Sequence, residues 1–178
     1  MKSAEVVVLG ALAAGPAHGY ELRRRLVCGL GPIWRIAPSQ LYALLPRLER
    51  AGLVQGEEVA VGSRPPRRVY SLTPAGRAAL WEWLTSPVRH VRDIRLELLA
   101  KLYFLRRLGP EHIPALISRQ RERLVRLRER LVGLESLPVD DPALSRLTIE
   151  FRLAQIDAIL AWLAGAAEEL GGEGGEHA

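Results

Sequence analysis

Arg64, Arg67 and Arg68 stand in the stretch GSRPPRR, between the apolar-alternating runs Leu53 to Val59 and Arg68 to Thr73. A guanidinium is always charged and offers a planar fork of donors that matches phosphate oxygens in pairs. Just upstream, Ser39, Gln40, Tyr42, Ala43, Arg47 and Arg50 share the side of a helix opposite Leu41, Leu44, Leu45 and Leu48. Small, amide and guanidinium side chains on one helix face suit hydrogen bonding to base edges, and tip arginines suit phosphates or a narrow minor groove. The chemistry is recognition of a duplex by charge and hydrogen bonding, with no bond made or broken.

Charge distribution agrees with that reading. Residues 1–90 hold 12 basic and 6 acidic side chains, whereas residues 91–178 hold 13 and 14, so all the excess positive charge lies in the first half. The 178-residue chain has room for one good core or two small ones. Its four histidines, His18, His90, His112 and His177, are scattered, and HExxH, a glycine-rich phosphate loop and a serine elbow are all missing. Asp140-Asp141 and Glu168-Glu169 read as a helix start and a helix end. No enzyme, no metal site and no cofactor is expected. Cys28 is the single cysteine, so no intrachain disulfide can form, and its neighbours Val27 and Leu30 predict that it is buried. The apolar stretch VVVLGALAAG is too short for a membrane span and reads as a first helix, which makes a cytoplasmic protein the expectation.

Positioning these side chains requires a particular order of elements. Ser3 to Ala14 forms a helix that stops at Gly15-Pro16. A second helix opens at His18-Gly19-Tyr20, with Leu22, Leu26 and Leu30 on its inner face and Arg23, Arg24 and Arg25 fanned around the other side. Trp34 and Ile36 plug the core beneath the next turn. The third helix starts at Pro38 or Ser39 and stops at Gly52. A two-stranded hairpin follows, with Gly62, Ser63, Pro65 and Pro66 in a loop at its tip. Thr73 caps a fourth helix that runs from Pro74 to Pro87, and its Trp81 and Trp83 cannot share one face.

The second half is helical by pattern. Asp93 to Leu108 is apolar over too wide a surface to remain exposed. Pro110 to about Leu137 has heptad spacing through Ile113, Ile117, Leu124, Leu127, Leu131 and Leu134, interrupted at Gln120, with a solvated arginine face. The last helix, roughly Pro142 to Leu170, has one apolar stripe through Leu144, Leu147, Phe151, Ala158 and Trp162. A second stripe, through Ile149, Leu153, Ile156, Leu160 and Leu163, lies nearly opposite. Burying both predicts a homodimer centred on this helix, with Phe151, Leu153, Ile156, Leu160, Trp162 and Leu163 as its dimerisation residues. The fold class is therefore mainly α, with a winged helix-turn-helix domain over 1–87, an all-α dimerisation domain over 88–170 and a disordered, glycine-rich tail over 171–178.

LGALAAGPAHGYEL (9–22), SQLYALLPRLERAGLV (39–54) and SRPPRRVYSLTPAGRAAL (63–80) occur in an order and spacing that resemble the PadR family of bacterial transcriptional regulators. The resemblance is close in the first half. In the second it rests on the helical pattern and ELLAKLYFLRRL (97–108). It implies a DNA-binding regulator without catalysis, usually a repressor, that binds a palindromic operator as a homodimer and is open to release by a small hydrophobic or aromatic effector. Ser39, Gln40, Tyr42 and Arg47 would be recognition-helix contacts, Tyr20 would approach the backbone, and Arg64, Arg67 and Arg68 would form the wing. Two departures stand out: Ala37 occupies the cap position where the family often has serine, and Pro46 interrupts the recognition helix. The competing classes are a winged-helix module that holds a protein partner and a hydrophobic small-molecule carrier, neither of which binds DNA.

Overall fold

A computed structural model describes residues 3–31, 33–61, 64–133 and 140–171. In chain order these form α1 (Ser3–Ala13), β1 (Ala17–His18), α2 (Gly19–Leu30), α3 (Pro38–Arg50), β2 (Val54–Val61), β3 (Arg64–Leu72), α4 (Pro74–Thr85) and α5 (Val91–Leu108). A 3-10 turn at Pro110–His112 leads into α6 (Ile113–Gly133), and α7 (Pro142–Gly171) follows. Gly62 and Ser63 of the expected tip, Leu134 to Leu137 of the expected sixth helix, and the tail from 172 onward lie outside the described residues. Two compact units result: Met1–Ser86 with Arg92–Gly109, and Pro87–Val91 with Pro110–Ala178. Contacts thus group α5 with the first unit, beyond the linear division expected at residue 87.

In the first unit, α1 is apolar nearly all round and is buried from Val6 to Leu12, as a helix of that composition must be. Around it lie Leu22, Leu26 and Leu30 of α2, the Leu41, Leu44, Leu45 and Leu48 stripe of α3, Leu80 and Leu84 of α4, and Leu98 and Leu105 of α5. Gly52, at φ 69°, closes α3: its amide donates to Glu49 O at 2.9 Å and the amide of Leu53 to Leu48 O at 2.9 Å. These bonds satisfy the last carbonyls and turn the chain directly into β2. Thr73 Oγ1 accepts from the Gly76 amide at 3.0 Å and so caps α4 as its sequence predicts.

The sheet has three strands, not two, in the order β1-β3-β2 and antiparallel throughout. β1 pairs Ala17 with Tyr70 and His18 with Val69, and a strand of only two residues shows no alternation by which it could be recognised. The wing strands are also longer than expected, because β3 includes Arg64, Pro65, Pro66 and Arg67. Val59 pairs with Arg67 and Val61 with Arg64, so β3 carries an extra residue in a bulge. Prolines fit there because a bulge leaves residues unpaired and β1 does not extend that far.

Lys101 of α5 is almost wholly buried (1% exposed), which its place in an apolar helix does not announce. Its Nζ donates to Ser86 O at 2.6 Å, stands 3.0 Å from Glu97 Oε1 and lies 4.9 Å from the centre of the Trp83 ring. Burial pushes its pKa below the ordinary lysine value, against the opposing pull of Glu97. Cys28 is exposed, contrary to the expectation of burial. The turn of α2 that bears it places Leu26 and Leu30 inward, which leaves Val27 and Cys28 facing out.

In the second unit, α6 and α7 pack along each other. Gln120 interrupts the α6 heptad because it serves the backbone: fully buried, it accepts from Val88 N at 2.6 Å and donates to Val88 O at 3.3 Å. Asp141 Oδ1 accepts from the Leu144 amide at 3.0 Å at the start of α7. Of the expected dimerisation residues, Ile156 and Leu163 are buried within the chain, Leu153 and Leu160 are half-buried, and Phe151 and Trp162 are exposed. The two stripes of α7 are thus separated as their opposed phases require. The Ile149, Ile156 and Leu163 side is used within the protomer.

Candidate nucleic-acid interface

The candidate interface is built on the N-terminus of α2. His18 caps that helix, its Nδ1 accepting from the Glu21 amide at 3.1 Å, and Gly19 and Tyr20 form the first turn. Gly19 has no room for a side chain, because a Cβ there would meet Tyr42 Cε1 at 2.5 Å. The Tyr42 ring of α3 therefore lies against the start of α2. Tyr20 and Tyr42 are 65% and 52% exposed, which marks them as surface aromatics and not core residues. They line an open concavity of about 740 Å³ with Arg24 of α2 and Arg67, Arg68 and Tyr70 of β3. Of the expected contacts, the fold brings Tyr20, Tyr42, Arg67 and Arg68 together on this surface. Ser39 and Gln40 are exposed on the first turn of α3 outside the concavity, and Ala37 supplies no side-chain cap to that helix.

The cations differ in how far each is already neutralised. Arg68 Nη2 donates to Glu49 Oε1 at 2.8 Å, and the same oxygen accepts from the Gly56 amide at 3.0 Å. This brace ties β2 and β3 to α3. The Arg68 hydrogen bond holds the Glu49 carboxyl below its usual range, and Glu49 in turn raises Arg68. Arg67 Nη1 lies 3.4 Å from His18 Nε2. Because His18 Nδ1 accepts a bond, Nε2 carries the hydrogen in the neutral ring, so Arg67 finds no acceptor there and its fork stays available. Arg24 has no hydrogen-bond or ion-pair partner among the described residues. Its place one helical turn after Tyr20 is the signal that marks it as part of the same surface.

Arg47 is expected as a contact, yet its Nη2 donates to Glu5 Oε1 of α1 at 3.1 Å. Pro46 does not end α3, which continues to Arg50, and Arg50 Nε donates back to the Pro46 carbonyl at 3.3 Å. For Arg64 the backbone pairing with Val61 is the described feature. Elsewhere on this unit, Leu26, Val27, Trp34, Ile36 and Leu41 line an apolar hollow of about 510 Å³, with Arg23 and Arg35 also at its walls. Trp34 and Ile36 thus wall a hollow while half-buried, rather than fully plugging the core.

Residues 8–82, which contain every element of this surface, match the family model described as the transcriptional regulator PadR-like family. Over residues 8–82 the chain is thus similar to the PadR-like family of transcriptional regulators. Within this PadR-like chain, residues 94–171 match a second model, the virulence activator alpha C-terminal region. It is 32% identical over 88 residues to the probable transcriptional regulator Rv1176c of Mycobacterium tuberculosis, covering 49% of this chain and 47% of that protein. It is 27% identical over 105 residues to the negative transcriptional regulator PadR of Bacillus subtilis, covering 59% and 58%. The PadR-like chain therefore aligns with about half the length of these curated relatives. Among solved structures it is similar to Bacillus subtilis PadR in complex with operator DNA, at 22% identity, TM-score 0.49 and coverage of 96% and 98%. It is also similar to the same regulator in complex with p-coumaric acid, at 20% identity, TM-score 0.44 and coverage of 95% and 99%. No described helix is long and apolar enough to cross a membrane.

Proposed function

We propose that this PadR-like chain is a sequence-specific DNA-binding repressor that acts as a homodimer on a palindromic operator. The observation that carries the reading is the convergence of Tyr20, Arg24, Tyr42 and Arg67 on one exposed concavity in the unit that holds the chain's excess positive charge. Arginines that spend no donors internally meet phosphates, and the tyrosines add hydroxyl donors and apolar contact. Ser39 and Gln40, on the exposed first turn of α3, read base edges. Residues 1–87 serve as the reader and 88–170 as the dimerising half. Two copies present their α3 helices to successive major grooves about 34 Å apart. The protein performs no catalytic step and works in the cytoplasm.

A small hydrophobic effector belongs to the same reading. The Trp34 hollow has apolar walls for its body and Arg23 and Arg35 for a negative group. Adding aromatic acids to the bound protein is expected to lower DNA affinity, and Trp34→Phe to blunt that response.

Fluorescence anisotropy with duplexes tiled across the DNA upstream of the protein's own gene tests the main reading. One duplex should bind far more tightly than its scrambled control, with affinity falling steeply as salt rises. Equal binding to all duplexes, or none, would reject it.

A further inference from the structure

Half-buried His18 and exposed Arg67 both line the concavity between α2, α3 and β3. β1 pairs His18 with Val69, which sets the imidazole on the same face of the sheet as Arg67, two residues along β3. Arg67 Nη1 stands 3.4 Å from His18 Nε2. His18 Nδ1 accepts from the Glu21 amide, so Nε2 carries the hydrogen of the neutral ring. Two N–H donors thus meet with no acceptor between them.

The surroundings hold this pair in place and leave it unsatisfied. Arg25 donates to Gly15 O at 2.7 Å and to Pro16 O at 3.3 Å, which fixes the turn that enters β1. The same guanidinium occupies the Glu21 carboxylate at 2.7 Å. Glu49 is bound by Arg68 at 2.8 Å, and Glu57 accepts from Gln55 at 3.0 Å. Among the described residues no carboxylate bonds to His18 or to Arg67. One anionic oxygen about 2.8 Å from each nitrogen would satisfy both donors at once. The uncompensated charge of Arg67 favours an anion over a neutral base edge, and an open concavity admits a polymer backbone where an enclosed one would suit a small ion.

We infer that, on the DNA-binding reading above, His18 and Arg67 together hold one non-bridging phosphate oxygen of the duplex, His18 as a neutral donor and Arg67 as the charge. His18 then works at both ends of its ring: Nδ1 caps α2, and Nε2 fixes the DNA backbone beside Tyr20 and Tyr42.

A methylphosphonate scan tests the shared contact. On the duplex that the wild-type chain binds most tightly, phosphodiesters are replaced one at a time by uncharged methylphosphonate. Anisotropy is then read for wild type, His18→Ser, Arg67→Ala, Arg24→Ala and the His18→Ser/Arg67→Ala double variant. Serine keeps an oxygen for the Glu21 amide and is too short to reach the phosphate, so the cap is retained. His18→Ser should bind about tenfold more weakly than wild type. At one phosphate the replacement that weakens wild type should cost His18→Ser and Arg67→Ala little, while Arg24→Ala still shows the full loss. The double variant should bind little more weakly than Arg67→Ala alone.

Binding of His18→Ser within about twofold of wild type would overturn the inference. So would weaker binding that keeps the wild-type losses at every phosphate, which would mark His18 as a support of α2 only. Loss of sensitivity at different phosphates in the two single variants would overturn the shared contact. Millimolar inorganic phosphate, at fixed ionic strength, should not displace the duplex; displacement from wild type but not from His18→Ser would assign the pair to the free ion instead. A wild-type chain that prefers no duplex would overturn the DNA reading itself, and this contact with it.

Discussion

Arg47 of α3 donates to Glu5 of α1 across 3.1 Å, so a cation of α3 is spent on joining two helices of its own unit. Arg24 and Arg67, by contrast, meet no acidic partner among the described residues. Arg24→Ala and Arg67→Ala should each weaken DNA binding across sequences and reduce the salt slope by about one unit. Arg47→Ala should leave that slope close to wild type. Anisotropy titrations at several salt concentrations distinguish these outcomes.

Gly19→Ala should act on Tyr42 without touching DNA. A Cβ placed 2.5 Å from the Tyr42 ring forces the ring off the start of α2. Operator affinity should fall as far as in Tyr42→Ala, and combining the two substitutions should cost little more than either alone. An additive loss would mean that Gly19 does not act through the tyrosine.

The Glu49 brace carries a pH signature. Its carboxyl titrates below the usual 4.5 in the folded protein because Arg68 hydrogen-bonds to the ionised form. The resulting stabilisation is fully present above the unfolded carboxylate value and is lost as pH falls through the lower folded value. Urea melts should show wild type losing its advantage over Glu49→Gln as pH drops below about 4.5. A difference that stays constant into acid would exclude the brace as its source.

Gln120→Leu keeps approximate size and removes both bonds to Val88. Leaving that buried amide and carbonyl without partners should cost about 1–3 kcal/mol for each group. A fall in denaturant midpoint with an unchanged slope would report that loss. A neutral result would mean that water replaces the side chain.

Elements with strong periodicity were legible in the sequence. The α3 stripe of Leu41, Leu44, Leu45 and Leu48, the Thr73 cap and the opposed faces of α7 all follow from spacing, because burial acts on every residue of a face. Features that depend on a single partner were not legible. β1 is two residues long and exists only through pairing with Tyr70 and Val69. Lys101 is buried with its Nζ on Ser86 O and beside Glu97; the Glu97 pairing follows from four-residue helical spacing, whereas the Ser86 carbonyl, on another segment, does not. The same limit separates the arginines of the candidate site: Arg47, Arg67 and Arg68 look alike in sequence, and whether an acidic side chain from another element reaches each one decides its availability. α7 shows a third case, since its phases identify two faces but do not say which one α6 takes.

The prolines of the wing have a role beyond accommodating the bulge. β1 covers β3 only at Val69 and Tyr70, so among the described residues the outer edge of β3 from Arg64 to Arg68 has no strand beside it. An open edge of this kind is a template on which another chain can add a strand and start an aggregate. Pro65 and Pro66 have no amide hydrogen to offer, and the exposed Arg67 adds a charge beside them. The wing can thus extend into solvent while resisting growth of the sheet from one molecule to the next.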